Sequence, residues 1–124
     1  MQSLDLRKNS LNKLPIEIGG LDSLRSLDIW GNQLQSLPSE IGKLSKLEIL
    51  NLSGNALTEL PVEIGNLKNL RSLDLGGNAL QKLPNEIGQL SNLENLKIDF
   101  KQLPSLEQQR LRSVINNSKT ILKF

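Results

Sequence analysis

One interval governs this chain. The runs Leu24–Asn32, Leu47–Asn55 and Leu70–Asn78 share the pattern L-x-x-L-x-[IL]-x-G-N, and they begin 23 residues apart. Stepping back the same interval from Leu24 reaches Met1, and stepping forward from Leu70 reaches Leu93. A fixed period of this length means one structural unit repeated along the chain. The expected organisation is one domain over residues 1–124. It comprises repeats 1–23, 24–46, 47–69 and 70–92, a degenerate fifth from Leu93, and a cap over about 104–124.

Each unit has two halves. In the first, Leu50 and Leu52 alternate with Ile49, Asn51 and Ser53, a period of two that predicts a short strand with the leucines inward. The second half reads Leu60-Pro61-Val62-Glu63-Ile64-Gly65-Asn66-Leu67. Pro61 suits the first position of a helical turn. Glu63 sets a negative charge near that turn's positive end, and Gly65 fits a left-handed residue that closes it. The unit is a strand followed by a helical return.

Such units must stack. Leu47, Leu50, Leu52, Leu57, Leu60, Ile64 and Leu67 are the apolar residues of the third unit. Their burial in one isolated unit does not offset the entropy of ordering its backbone. Neighbours that cover both flanks make stability a sum over interfaces.

The columns created by stacking separate scaffold from surface. Asn9, Asn32, Asn55 and Asn78 close the strands. There the chain leaves the sheet, and backbone polar groups need partners; an amide side chain both donates and accepts. These four are expected to form a structural ladder rather than a ligand site. Gly31, Gly54 and Gly77, just before them, serve turn geometry or close packing. Glu17, Glu40, Glu63 and Glu86 form a solvated stripe on the opposite side.

L-x-x-L-x-L-x-x-N-x-L resembles the leucine-rich repeat signature. It stands at Leu24–Leu34 with Ile29 for one leucine, at Leu47–Leu57, at Leu70–Leu80, and at Met1–Leu11 with Met first. The 23-residue length and the Leu-Pro-x-Glu-Ile-Gly-x-Leu half are similar to a subclass found in bacterial, including spirochaetal, proteins and in Ras-group repeat proteins. The resemblance covers about three quarters of the chain. It implies an α/β leucine-rich repeat solenoid: a right-handed superhelix with a curved parallel sheet on the concave side, short helical turns on the convex side and a C-terminal helix cap. It also implies a protein-binding role. Catalytic relatives carry their activity on attached domains, which need a Cys or a G-x-x-x-x-G-K-[ST] loop; neither occurs here.

Composition narrows the function further. The chain has no His and no Cys, which removes the commonest general base, the commonest metal ligand and every thiolate. No cofactor, metal or catalytic residue is expected, and the chain reads as non-enzymatic. Lys+Arg is 15 against 13 Asp+Glu, a net charge of +2, with no basic stripe interleaved with aromatics, so nucleic acid is not an expected partner. No stretch approaches the ~18 apolar residues of a membrane span. Met1–Leu6 lacks a basic stretch followed by an apolar run, so no signal peptide is read in this chain. Cytoplasmic and exported locations both stay open.

A partner is expected on the exposed face of the sheet, with Arg7, Asp28, Trp30, Ile49, Asn51, Arg71 and Asp74 as candidates. Trp30 is the sole Trp, in a column otherwise Arg7, Ser53, Gly76 and Asp99, so the scaffold does not require it there; Trp and Arg are enriched at binding hot spots. The competing reading lays Trp30 over Ser53 with Arg7 stacked on it. Ile49 is apolar in a column of Ser3, Ser26, Ser72 and Asn95 and is expected to form a small apolar centre with Trp30. The column Asp5, Asp28, Asn51, Asp74, Lys97 reads as scaffold, as a surface for a basic partner, or as a cation site. Gln2, Arg25, Glu48, Arg71 and Glu94 lie beside it and can compensate the charge.

At the C-terminal end, Leu103-Pro104-Ser105 opens a helix with Ser105 as N-cap. Leu106, Leu111, Val114 and Ile115 share one face, Asn116-Asn117-Ser118 ends it, and Thr120–Phe124 forms a last strand. This reads as a cap on the final core layer. No cap is evident before Met1. The strand at residues 2–8 is then an open edge, which invites pairing, and an alternative function is a structural unit that self-associates through that edge.

Overall fold

The computed structural model describes residues 1–115 and the backbone of residues 121–123. Six three-residue strands form one parallel sheet in chain order: β1 (Ser3–Asp5), β2 (Ser26–Asp28), β3 (Ile49–Asn51), β4 (Ser72–Asp74), β5 (Asn95–Lys97) and β6 (Ile121–Lys123). Register from β1 to β5 is the repeat itself, Leu4↔Leu27, Leu27↔Leu50, Leu50↔Leu73, Leu73↔Leu96. With a side-chain period of two, this register sends every leucine of the motif to the same side. Leu27, Leu50, Leu73 and Leu96 are accordingly buried, as are Ile29, Leu52, Leu75 and Ile98.

Opposite the sheet run four 3₁₀ turns, Ile16–Gly20, Ser39–Lys43, Val62–Asn66 and Asn85–Gln89. The proline stands one place earlier than the sequence suggested. Pro15, Pro38, Pro61 and Pro84 are extended residues just before each turn, and the Pro61 carbonyl accepts the first turn bond from the Ile64 N–H at 3.1 Å. Gly65 also differs from expectation: its φ is not positive, and it lies inside its turn. A Cβ there would meet the Glu86 backbone oxygen at 2.7 Å, and one on Gly42 would meet that of Glu63 at 2.7 Å. The glycine exists because successive turns touch backbone to backbone, which leaves no room for a side chain. Left-handed geometry belongs instead to Gly31, Gly54 and Gly77, with φ of 75°, 68° and 66°. Lys8 holds the same place in the first coil, at φ 56°.

The asparagines bond backward, each to the coil before it. The Asn32 side chain accepts from the N–H groups of Asn9 and Leu11 and donates to the carbonyls of Leu6 and Ile29, all at 2.9 Å. Asn55 accepts from Leu34 and donates to Ile29 and Leu52; Asn78 accepts from Leu57 and donates to Leu52 and Leu75. Asn9 departs from the expected four-rung ladder. It is exposed and its side chain makes no hydrogen bond within the described residues.

At the other end α1 (Ser105–Val114) closes the core. Pro104, not Ser105, precedes the first helical residue, and no side chain caps it. Leu111 is buried and Val114 and Ile115 pack on the core, but Leu106 is 79% exposed, so it is not part of the packed face. The helix stops at Val114; Asn116–Ser118 and the ends of the expected last strand lie outside the described residues, and β6 falls within that strand. A Cβ on Gly88 would meet the Val114 carbonyl oxygen at 2.8 Å. The end of α1 thus takes the place that the next turn's backbone takes in every other coil. Arg110 fastens the helix: it donates to the Leu83 carbonyl and the Asn85 side chain and pairs with Glu107 at 2.8 Å, holding that carboxyl below its ordinary range. No helix among the described residues is long and apolar enough to cross a membrane.

Candidate functional site

The outward side chains of β1–β5 form the columns that the repeat dictates. The acidic column is first of all part of the scaffold. Asp5, Asp28, Asn51 and Asp74 each turn Oδ1 onto the backbone N–H two residues on, those of Arg7, Trp30, Ser53 and Gly76, at 3.0, 3.1, 3.0 and 3.0 Å. A short polar side chain closing a local bond of this kind ends a strand cleanly. Lys97, with no acceptor to offer, marks where the fifth coil departs from the pattern. Like charge between neighbours is relieved locally: Arg7 lies 2.7 Å from Asp5 and 3.9 Å from Asp28, and Asn51 separates Asp28 from Asp74. Among the described residues no three acidic groups are gathered around a cation position.

Trp30 leaves β2 at the sheet's exit and is 38% exposed. Its indole lies against Gly54, with Nε1 3.2 Å from where a Gly54 Cβ would stand. The cation over the ring is Lys8, with Nζ 4.9 Å from the centroid, and not Arg7. Arg7 is held away by Asp5, which accepts from its Nε at 2.9 Å and its Nη2 at 2.7 Å. Asp5, Arg7, Lys8 and Trp30 together bound an open recess of about 350 Å³.

The Arg7 guanidinium, and then the Arg7 backbone N–H, hold the Asp5 carboxyl down from the ordinary 3.8 to about 2. The folded value lies below the unfolded one, so this contact contributes stability above pH ~4, and the contribution is lost as pH falls from there through about 2. A carboxyl-detected NMR titration is expected to place the Asp5 midpoint near 2, and Arg7→Ala should return it towards 3.8. A midpoint near the ordinary value in the intact chain would show that the pair is not held in solution.

The structure does not bring Trp30 and Ile49 together. Ile49 opposes Ser26, four residues before Trp30 on the neighbouring strand, so ~13 Å of strand separates their levels. Asp28 and Asn51 stand between them. Ile49 is 49% exposed and forms its own small apolar point. In the flanking column Arg25 pairs with Glu48 at 2.7 Å, while Arg71 is exposed and makes no ion pair within the described residues. Of the recess members, Asp5 stands in the sequence reading only as part of the acidic column, and Lys8 is not singled out there. Lys8 was findable: it is the one non-glycine among the first four coils in the column Lys8, Gly31, Gly54, Gly77.

Comparison with known proteins agrees with this geometry. A leucine-rich repeat region model matches residues 42–123, and a second leucine-rich repeat model matches residues 23–44. A leucine-rich repeat protein of Leptospira interrogans is similar over 100% of this chain, with 37% identity and a TM-score of 0.76. The ectodomain of the receptor kinase SOBIR1 from Arabidopsis thaliana is similar over 77%, with 36% identity and a TM-score of 0.66. The chain spans 37% and 54% of the lengths of those two proteins. A search of curated proteins finds no match. Leucine-rich repeat domains generally mediate protein–protein interaction. On the match to residues 42–123 and the coil geometry above, the chain belongs to the leucine-rich repeat family.

Proposed function

We propose that residues 1–124 act as one non-enzymatic binding domain that holds a protein partner on the exposed face of the sheet, with Trp30 as its anchor. The observation that carries this reading is the indole itself. It is exposed beside an open recess, at a place where Ser53 and Gly76 serve the other coils equally well. A rigid aromatic side chain gives large contact area at little entropic cost. Arg7 and Lys8 add donors at the recess wall. Asn51 and Asp74 retain their second side-chain heteroatom for a partner, the Asp28 carboxylate faces Arg7 at 3.9 Å, Ile49 supplies a separate apolar contact, and Arg71 a cation along the same face.

The test is a pull-down with the intact chain, followed by titration of the captured protein against the intact chain and Trp30→Ala, with circular dichroism as the folding control. An anchor of this kind predicts a loss of affinity of about thirtyfold or more. Equal affinity for both chains would move the site off this part of the sheet.

A second reading is favoured by the exposed edge of β1 and the unbonded Asn9: the chain is an assembly unit whose Met1-side edge is a contact surface.

A further inference from the structure

Around Trp30 the acceptors are spent and the donors are not. Asp5 gives both carboxylate oxygens to Arg7, at 2.9 Å from Nε and 2.7 Å from Nη2. Asp28 turns Oδ1 onto the Trp30 backbone N–H at 3.1 Å, and its Oδ2 lies 3.9 Å from Arg7 Nε. A guanidinium carries five N–H donors in a planar fork. Asp5 takes the Nε side of that fork, so the Nη1 end of Arg7 is unbonded within the described residues. Lys8 Nζ stands 4.9 Å from the centre of the Trp30 ring and pairs with no carboxylate among the described residues. Its backbone is left-handed at φ 56°, where the next three coils carry Gly31, Gly54 and Gly77. A lysine in that conformation is disfavoured against glycine, so the scaffold gains nothing from it. Asp5, Arg7 and Trp30 alternate with Leu4, Leu6 and Ile29, which pack on the core, so they face the concave side whatever stacks along β1.

We propose that the recess bounded by Asp5, Arg7, Lys8 and Trp30 takes a carboxylate side chain, Asp or Glu, from an acidic segment of the protein partner. The carboxylate sits between Arg7 Nη1 and Lys8 Nζ, and its aliphatic stem lies on the indole. The inference rests on the reading of Trp30 as the anchor and adds the chemistry of what that anchor holds. Charge-assisted bonds from Arg to a carboxylate are the strong kind, and Arg7 is already fixed in place by Asp5, so little side-chain freedom is lost on binding. The open volume of about 350 Å³ has room for such a side chain and a neighbour. A basic segment is a poor occupant. It would have to take Asp5 from Arg7, or displace the Lys8 ammonium that already faces the ring.

The experiment titrates the chain with acetyl-Leu-Glu-Glu-Leu-amide and with its counterparts carrying Gln or Lys in place of Glu. The Trp30 indole N–H and the Lys8 amide are followed by two-dimensional NMR. The Glu peptide is expected to move both resonances and to bind about tenfold tighter than the Gln peptide, while the Lys peptide leaves them in place. Lys8→Gly, which installs the residue of the next three coils, and Arg7→Gln are each expected to weaken the Glu peptide by about fivefold, with circular dichroism unchanged. Equal binding of the Glu and Gln peptides, tighter binding of the Lys peptide, variants that bind as the intact chain does, or no movement up to about 10 mM Glu peptide overturns the proposal. Trp30→Ala separates this inference from the reading it rests on. If that variant loses a peptide that the Glu and Gln forms occupy alike, the anchor stands and the carboxylate falls. If it binds the Glu peptide at full affinity through Arg7 and Lys8, the carboxylate site stands and the anchor falls.

Discussion

Asn32→Ala is expected to lower the unfolding free energy by about 3 kcal/mol, read as a fall in urea midpoint at constant slope. The side chain is 6% exposed. Its loss strands the N–H groups of Asn9 and Leu11 and the carbonyl of Leu6 in the interior bend where two coils meet, while the Ile29 carbonyl keeps its bond from Asn55. A buried backbone group left without a partner costs about 1–3 kcal/mol, and partial access of water to the Leu11 side keeps the total below the simple sum. Asn9→Ala is the internal control. The residue type and repeat position are the same, yet no bond is lost, so the change should stay within about 0.5 kcal/mol. Equal effects at the two sites would show that the ladder acts through something other than these bonds.

Gly65→Ala should cost about 2–3 kcal/mol, because the added methyl meets backbone rather than a pliable side chain. The contacts are the Glu86 oxygen at 2.7 Å and its Cβ at 2.9 Å. Relief requires two turns to move apart, and each turn is fixed by its own prolyl carbonyl bond and by buried Ile64 and Ile87. Gly20→Ala is the matched comparison. A Cβ there meets nothing within 4 Å, and removing a flexible glycine from the unfolded chain is neutral or slightly favourable. A thermal or urea melt in which both substitutions behave alike would mean that the turns are not packed this closely.

The 23-residue interval made the fold readable because a repeat announces its own register: once Leu27 is inward, so are Leu4, Leu50 and Leu73. The cap was readable in outline for the same reason, since the last core layer needs a cover. The misreadings were local and share a cause. Gly65 was assigned to chain reversal because a glycine after a helical stretch usually serves that end, whereas its reason lies in the neighbouring coil, 21 residues away at Glu86. The expected Trp30–Ile49 centre failed on distance along the strand, which a list of outward residues does not display. The competing reading stacks Arg7 on Trp30, but Asp5, two residues away, offers Arg7 a bidentate pair that outcompetes an aromatic face at the surface. The direction of the asparagine bonds, backward rather than forward, is invisible in a pattern that reads the same from either end.

Trp30 is the chain's sole tryptophan, and its indole touches both neighbouring coils, with Lys8 of the first over its ring and Gly54 of the third against it. Its emission is therefore a spectroscopic label placed by nature at one end of the array. In a structure where each coil touches only its neighbours, the ends loosen before the middle. Tryptophan fluorescence watches the Met1 end peel away, while far-ultraviolet dichroism watches the whole stack, and the gap between the two curves measures how tightly the first coil is coupled to the rest.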